Sequence, residues 1–274
     1  MEVTDKETGD VRTVPIEDIG IVVVENQRVA FTIPVLNALS DNNTTVVFCN
    51  ERMMPNSILL PFEGNTVQSE TYKLQMDISE PLKKQLWKQI VVAKIRNQAA
   101  VLDALGKDGS ILKPLYSNVK SGDIDNREGQ AARLYWRMVF DEEFVRDQNG
   151  EDGLNAMLNY GYAILRAAMA RAIVGSGLSL SYGLFHKNKY NAFPLADDLM
   201  EPFRPYVDSA VIELWSEGIC ELNKESKVAL LSVLTCDTML NDFQRPLEIG
   251  LTFTTASLVK CLKGEEKCLI LPQL

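Results

Sequence analysis

Residues 154–174 are apolar at nearly every position. The apolar and aromatic side chains recur around the whole helical circumference and include Met157, Leu158, Tyr162, Ile164, Leu165, Ala168 and Met169. A helix that is apolar on most of its faces has to be enclosed by other elements, because a surface helix keeps a polar face. The segment therefore predicts a central core helix with a mainly helical fold around it.

The sequence changes character near Thr71. Short β-branched runs before this point predict strands at residues 22–24, 28–33, 44–49 and 58–60, with a short helix at residues 33–39. Helical patterns after it cover residues 81–105, 128–144, 195–215, 226–240 and 246–262. We therefore expect an α+β, mainly α, fold with a small N-terminal β domain (1–72), a linker (73–80) and a larger α-helical domain (81–274).

Composition excludes several classes of protein. No apolar run reaches the roughly 18 residues of a membrane span, and the polar N-terminus does not resemble a signal peptide. The cysteines are five, an odd number, and scattered, which favours reduced thiols in a cytoplasm. The net charge of -9 opposes a protein that coats nucleic acid with its whole surface, but it permits a local basic groove.

The single histidine, His186, precedes a segment rich in acidic residues. Asp198 and Glu201 are three residues apart and Asp197 and Glu201 are four apart, so either pair could share a helical face. Only one of these pairs can point at His186. Imidazole and carboxylates bind divalent metals, but the acids could equally stabilise the helix dipole and the histidine could be a packed residue.

A further acid, Glu128, begins a predicted helix directly after the polar loop 121–127. The small residues Gly129, Ala131 and Ala132 follow it and would allow close packing between helices. On the residues alone, a carboxylate that stabilises the first helical turn is the stronger interpretation of Glu128.

Three separated motifs occur in a specific order: REGQAARLYW at 127–136, LNYGYAIL at 158–165, and GLFH at 183–186 together with LADDLMEPFRP at 195–205. Together they resemble the first of the CRISPR-associated proteins, the integrase and endonuclease of spacer acquisition, in its type II form. The resemblance extends from Val14 to the C-terminus. Relatives usually carry several tens of residues before the stretch that matches 14–20, so we expect a truncated N-terminus or a late start that omits the first strands.

The resemblance implies a metal site and a reaction. The family's metal-binding residues correspond to Glu128, His186 and Glu201, and its supporting acid corresponds to Asp198. The implied cofactor is a divalent metal, Mg²⁺ or Mn²⁺. The implied reaction is transesterification, in which the 3′-hydroxyl of a captured DNA fragment attacks a phosphodiester of the CRISPR repeat.

The same resemblance implies partners. These are double-stranded DNA (the prespacer and the CRISPR repeat), a second copy of the chain, a dimer of the second CRISPR-associated protein and the type II RNA-guided effector nuclease. Candidate DNA contacts are Lys187, Lys189, Arg204 and Arg245, and one helix is rich in positive charge through Lys83, Lys84, Lys88, Lys94 and Arg96. The alternatives are a non-catalytic scaffold of the adaptation complex and a helical metal-dependent phosphohydrolase.

Overall fold

The computed structural model of the protein describes residues 1–140, 144–151 and 153–274. In chain order, the strands are β1 (Glu2–Thr4), β2 (Val11–Thr13), β3 (Ile21–Val24), β4 (Thr45–Cys49), β5 (Pro55–Leu59), β6 (Asp237–Leu240), β7 (Phe243–Pro246) and β8 (Pro272–Gln273). The helices are α1 (Ile33–Asp41), α2 (Gln68–Met76), α3 (Glu80–Ala104), α4 (Lys113–Ser117), α5 (Arg127–Val139), α6 (Gly153–Gly175), α7 (Pro194–Met200), α8 (Arg204–Ser216), α9 (Lys224–Ser232) and α10 (Leu247–Leu262). Helices predominate after a small N-terminal β region, which confirms the predicted fold class.

The N-terminal region contains a sheet of order β3-β4-β5 and a separate exposed hairpin, β1–β2. β3 and β4 pair in parallel and β5 pairs antiparallel with β4. Parallel neighbours need a crossover connection, and α1 lies in the connection between these two strands. The strand predicted at residues 28–33 is therefore wrong, because the chain turns there and enters α1 at Ile33, with Pro34 in its first turn.

The segment predicted as a linker begins inside helix α2, which ends at Met76. Gln75 is buried, and its Nε2 donates hydrogen bonds to the carbonyl oxygens of Ser179 and Tyr182. In return, the Ser179 N–H donates to the Gln75 side-chain oxygen. These bonds attach α2 to the loop that leads to His186, and the division into domains stays a prediction.

Helix α6 confirms the predicted core helix, with bounds within one residue of those expected. It packs against α7, α8, α9 and α10, which enclose its apolar faces. Gly161 permits a close approach to α8, because a Cβ at this position would lie 2.4 Å from Cγ1 of Val207. The sequence of residues 154–174 thus predicts the centre of the fold.

Three other predicted helices have different bounds. The helix predicted at 128–144 ends at Val139, and residues 141–143 of that prediction lie outside the described residues. The helix predicted at 195–215 is divided into α7, a 3-10 turn at Glu201–Phe203, and α8. Pro202 and Pro205 lack the backbone N–H that an uninterrupted helix would use there.

The helix predicted at 226–240 ends at Ser232 and is followed by a 3-10 turn and strand β6. β6 is the central strand of a sheet of order β7-β6-β8 and pairs antiparallel with both neighbours. β7 follows β6 after a two-residue turn at Asn241 and Asp242, and β8 comes from the C-terminal end of the chain. Pairing with these strands overrides the local helical pattern. Within the described ranges, no helix is both long enough and apolar enough to cross a membrane.

Candidate metal centre

Glu128 lies in the first turn of α5, and other residues cap that helix. Asn126 adopts a left-handed conformation and its side-chain oxygen accepts a hydrogen bond from the Gly129 N–H. The two carboxylate oxygens of Asp123 accept from the N–H groups of Arg127 and Glu128. The Glu128 carboxylate is therefore not needed as a cap and is available for another contact.

That contact is the ammonium group of Lys94, which projects from α3. Its Nζ lies 2.6 Å from Oε1 of Glu128 and 2.5 Å from Oε2 of Glu201. Lys94 is only 8% exposed. Burial alone would lower the pKa of Lys94, but the carboxylates of Glu201 and Glu128 outweigh that effect and raise the pKa.

In the sequence, Lys94 is one of five positive charges on a single predicted helix, and its burial is a feature that we did not predict. Lys94 follows Ile90 by four residues and precedes Gln98 by four, and both neighbours are buried on the same face of α3. This spacing was the available signal, because a charged residue within a buried stripe requires charged partners nearby.

Glu201 occupies the 3-10 turn between α7 and α8 and is 4% exposed. Its Oε1 lies 3.1 Å from Nε of Arg204. Its Oε2, although close to Lys94, has no partner with hydrogen-bond geometry among the described residues. Burial would raise the pKa of Glu201, but Arg204 and Lys94 lower it, so the carboxylate is held in its charged form.

His186 is oriented by Asp198, which is fully buried. Nδ1 of His186 lies 2.6 Å from Oδ1 of Asp198, which leaves Nε2 as the nitrogen available to a ligand. Asp198 also accepts hydrogen bonds from the N–H groups of Leu184, Phe185 and His186. The bond from Asp198 raises the pKa of His186 against the opposing effect of burial, and the charges of Glu201 and Glu128 add to the increase.

The absence of a side chain at Gly183 lets the loop backbone approach the Asp198 carboxylate. A Cβ at Gly183 would lie 2.8 Å from Oδ2 of Asp198 and 2.9 Å from the His186 carbonyl oxygen. A larger residue would push the loop away from the Asp198 carboxylate. The glycine in the GLFH motif therefore has a steric reason in this fold.

Asp197 has a different partner. Its two carboxylate oxygens lie 2.6 Å and 3.0 Å from Nε and Nη2 of Arg166, and Asn191 donates to Oδ2. Of the two acid pairs that the spacing left open, the structure brings Asp198, and not Asp197, to His186.

The donor set suits a hard divalent cation. Two carboxylates and one imidazole are typical ligands for Mg²⁺ or Mn²⁺ when the remaining positions go to water and phosphate oxygens. Lys94 acts as a stand-in cation, because oxygens of both Glu128 and Glu201 already converge on its ammonium group. Among the described residues, no three His, Cys, Asp or Glu side chains are yet arranged to hold a metal. The assignment of Glu128, His186 and Glu201 as ligands stays a prediction.

The candidate DNA contacts have diverse surroundings. Lys187 and Lys189 belong to the exposed part of the loop after His186, with Lys187 3.7 Å from Glu80 and Lys189 above the ring of Tyr190. Arg204 is only partly exposed and engages Glu201, and Arg245 is exposed on β7, outside the helices that carry the site. A role of these residues in DNA binding stays a prediction.

Known proteins resemble the chain in sequence. The sequence profile described as CRISPR associated protein Cas1 matches residues 1–245. The CRISPR-associated endonuclease Cas1 of Neisseria meningitidis serogroup C (strain 8013) is 46% identical over 215 residues, which cover 78% of this chain and 70% of the relative. A CRISPR-associated endonuclease Cas1 of Pyrobaculum aerophilum is 28% identical over 267 residues, or 92% of this chain and 90% of the relative. These matches confirm the resemblance carried by the three motifs.

Solved structures resemble the chain in fold. A casposase bound to integration product has a TM-score of 0.80 at 23% identity and covers 97% of this chain and 85% of its own. A CAS1 protein from Thermotoga maritima has a TM-score of 0.75 at 18% identity, over 97% of this chain and 92% of its own. A chain of a Cas6-RT-Cas1–Cas2 complex has a TM-score of 0.73 at 18% identity, over 100% of this chain and 35% of its own. At these identities, the likeness establishes a common fold.

Proposed function

The chain belongs to the Cas1 family of CRISPR-associated proteins, and from this membership we propose that it cuts and joins DNA to insert foreign fragments into a CRISPR array. It is a metal-dependent endonuclease and integrase of a type II system. The 3′-hydroxyl of the fragment forms a new bond to a phosphorus of the repeat, and the original bond breaks to leave a 3′-hydroxyl on the repeat strand. The reverse reaction is disintegration.

The observation that carries this proposal is the convergence of Glu128 and Glu201 on one positive charge, the ammonium group of Lys94. The two acids come from different helical segments. His186 comes from a third segment, where Asp198 orients its ring, and the charges of Glu201 and Glu128 help to raise its pKa. When bound by these residues, Mg²⁺ or Mn²⁺ would supply Lewis-acid chemistry to the scissile phosphate and the attacking hydroxyl. Asp198 acts through His186 by fixing the nitrogen that it presents.

The same proposal includes partners and location. Structures of related fold occur in a complex named for Cas1 and Cas2 and in a casposase bound to integration product. We place this chain as a homodimer bridged by a dimer of the second CRISPR-associated protein, on prespacer and repeat DNA, with the effector nuclease as a further partner. The net charge of -9 is easier to reconcile with DNA binding when several subunits together build the DNA path. The scattered cysteines favour the cytoplasm.

The test is a strand-transfer and disintegration assay with branched, half-integrated DNA and Mn²⁺. Glu128→Gln, His186→Ala and Glu201→Ala are each expected to reduce the rate at least about 100-fold, because each removes a metal ligand. Asp198→Asn is expected to cost about 10–100-fold, because it disturbs a ligand indirectly. Glu213→Gln removes an exposed carboxylate on α8 and serves as the matched control.

The same assay separates the alternatives. Strand joining that persists in both His186→Ala and Glu201→Ala would contradict the proposed site. No DNA reaction with or without the partner subunit would indicate a scaffold. Release of phosphate from nucleotides would indicate a small-molecule phosphohydrolase.

A further inference from the structure

The ammonium group of Lys94 lies between Glu128 and Glu201, the two acids that we expect to bind the metal ion. The carboxylates of Glu128 and Glu201 both approach its ammonium group within 2.6 Å, and the Lys94 side chain is only 10% exposed. Two acids this close repel each other at low effective dielectric, and a buried ammonium without partners is equally unfavourable. Each group therefore stabilises the charge of the others, and the cluster is ordered without any metal.

The same contacts conflict with a metal. Mg²⁺ binds carboxylate oxygens at roughly 2.0–2.1 Å. Because Nζ of Lys94 is itself 2.6 Å and 2.5 Å from these oxygens, an ion bound to either of them would lie within about 5 Å of the ammonium group. At that distance the two positive charges repel each other strongly in a buried site.

We infer that Lys94 is a positioning residue that holds Glu128 and Glu201 together in the metal-free protein and is displaced from them when a divalent ion binds. The inference rests on the proposed function, since it requires these acids to be metal ligands. The flexible four-carbon stem of lysine allows its ammonium group to move without unfolding α3. The metal affinity of the site is therefore lower than its ligands alone would give, because the ion must first compete with a tethered cation.

The test measures Mn²⁺ binding directly, by the electron paramagnetic resonance signal of free Mn²⁺, in protein without DNA. Lys94→Met, which keeps most of the volume and removes the charge, is expected to bind Mn²⁺ about tenfold more tightly than wild type or better. It should also show a lower Tm without metal and a larger Tm increase on adding Mn²⁺.

Two variants serve as controls. Lys94→Arg keeps the positive charge and is expected to bind Mn²⁺ no more tightly than wild type. Lys84→Met removes an exposed lysine from the same helix and should leave the affinity for Mn²⁺ unchanged. A Lys94→Met protein that binds Mn²⁺ no more tightly than wild type would overturn the inference. If the ion pair were merely structural, its loss would lower Tm by the same amount with and without metal.

A second measurement uses the wild type and remains valid if Lys94→Met does not fold. The ¹⁵N signal of the Lys94 side-chain nitrogen, assigned by its loss in Lys94→Arg, is followed during titration with diamagnetic Mg²⁺. A shift that saturates with Mg²⁺ binding supports displacement, and an unchanged signal at saturation overturns it.

The outcomes also separate the two proposals. Wild-type protein that binds no Mn²⁺, or binding that persists in His186→Ala, would overturn the metal site and this inference with it. Binding that depends on His186 but is indifferent to the charge at Lys94 would overturn the role of Lys94 alone.

Discussion

Asp208 is a buried carboxylate that lies near the site without belonging to it. The hydroxyls of Tyr135 and Tyr162 both donate hydrogen bonds to it, and the guanidinium of Arg204 lies 4.7 Å from the ring centre of Tyr162. Arg204 in turn pairs with Glu201. Burial raises the pKa of Asp208 from 3.8 to about 6, although the bonds from Tyr162 and Tyr135 oppose the increase.

This shift predicts a pH-dependent contribution to stability. Between about pH 4 and pH 6 the folded protein holds a proton on Asp208 that the unfolded chain has released, so its contribution to the free energy of unfolding falls as pH rises. From about pH 5 to pH 7.5 the loss is about 1.4 kcal/mol. Asp208→Asn removes this dependence, and urea unfolding of both proteins across that range measures it.

Other groups titrate in the same window, so the wild-type curve alone is not diagnostic. The difference between the two proteins isolates Asp208. A gap in unfolding free energy that stays constant with pH would contradict a raised pKa at this residue.

At the scale of elements, the contact between α6 and α8 depends on the absence of a side chain at Gly161. This contact also bears on the candidate metal centre, because α8 follows directly from the turn that carries Glu201. A methyl group at Gly161 would lie 2.4 Å from Cγ1 of Val207 and 3.2 Å from Cδ2 of Leu230. Val207 is buried and β-branched, so it has little freedom to move aside.

Gly161→Ala is therefore expected to destabilise the protein by about 1–3 kcal/mol through overpacking. The change would otherwise stabilise a helix by about 0.5–1 kcal/mol, since alanine is the better helix former. Val207→Ala removes the obstructing methyl groups, so the double variant should be less destabilised than the sum of the single variants. Denaturant unfolding of all four proteins gives the interaction energy, and simple additivity would contradict the proposed clash.

At the scale of the whole molecule, a partly buried ion pair connects the N-terminal β region to the helical part. Nζ of Lys227, from α9, lies 3.0 Å from Oε1 of Glu25, directly after β3, and Tyr160 of the core helix donates a hydrogen bond to the same oxygen. A second pair, Arg52–Glu151, also connects the two parts, but both of its side chains are mostly exposed.

The two pairs should differ in their effect on stability. Lys227→Met leaves a partly buried carboxylate without its cation and is expected to cost about 1–3 kcal/mol. Arg52→Met should cost between 0 and about 1 kcal/mol, because water screens an exposed pair. Hydrogen exchange of the amides in β3 and β4, measured beside global unfolding, would show faster exchange for the Lys227 variant. Equal effects of the two substitutions would contradict the importance of burial here.

The amino-acid sequence by itself determined the features that depend on local pattern and composition. The continuous apolar character of residues 154–174 predicts the core helix, and the order of motifs around Glu128, His186 and Glu201 identifies the family. The β-branched runs predict β4 and most of the N-terminal sheet. These features are encoded in neighbouring residues, so they do not require knowledge of which segments meet.

Only the tertiary structure decided which distant groups come together. Spacing alone allowed either Asp197 or Asp198 to lie beside His186. Asp198 takes that place, because Asp197 is bound by Arg166 on the core helix. Strand β6 pairs with β8 from the C-terminal end of the chain, which the helical pattern in its own sequence does not indicate. The cation between Glu128 and Glu201 is Lys94, placed there by the packing of α3 against α5 and the turn after α7. Periodicity identifies the face on which a side chain lies, but the partner opposite that face is set by how the helices pack.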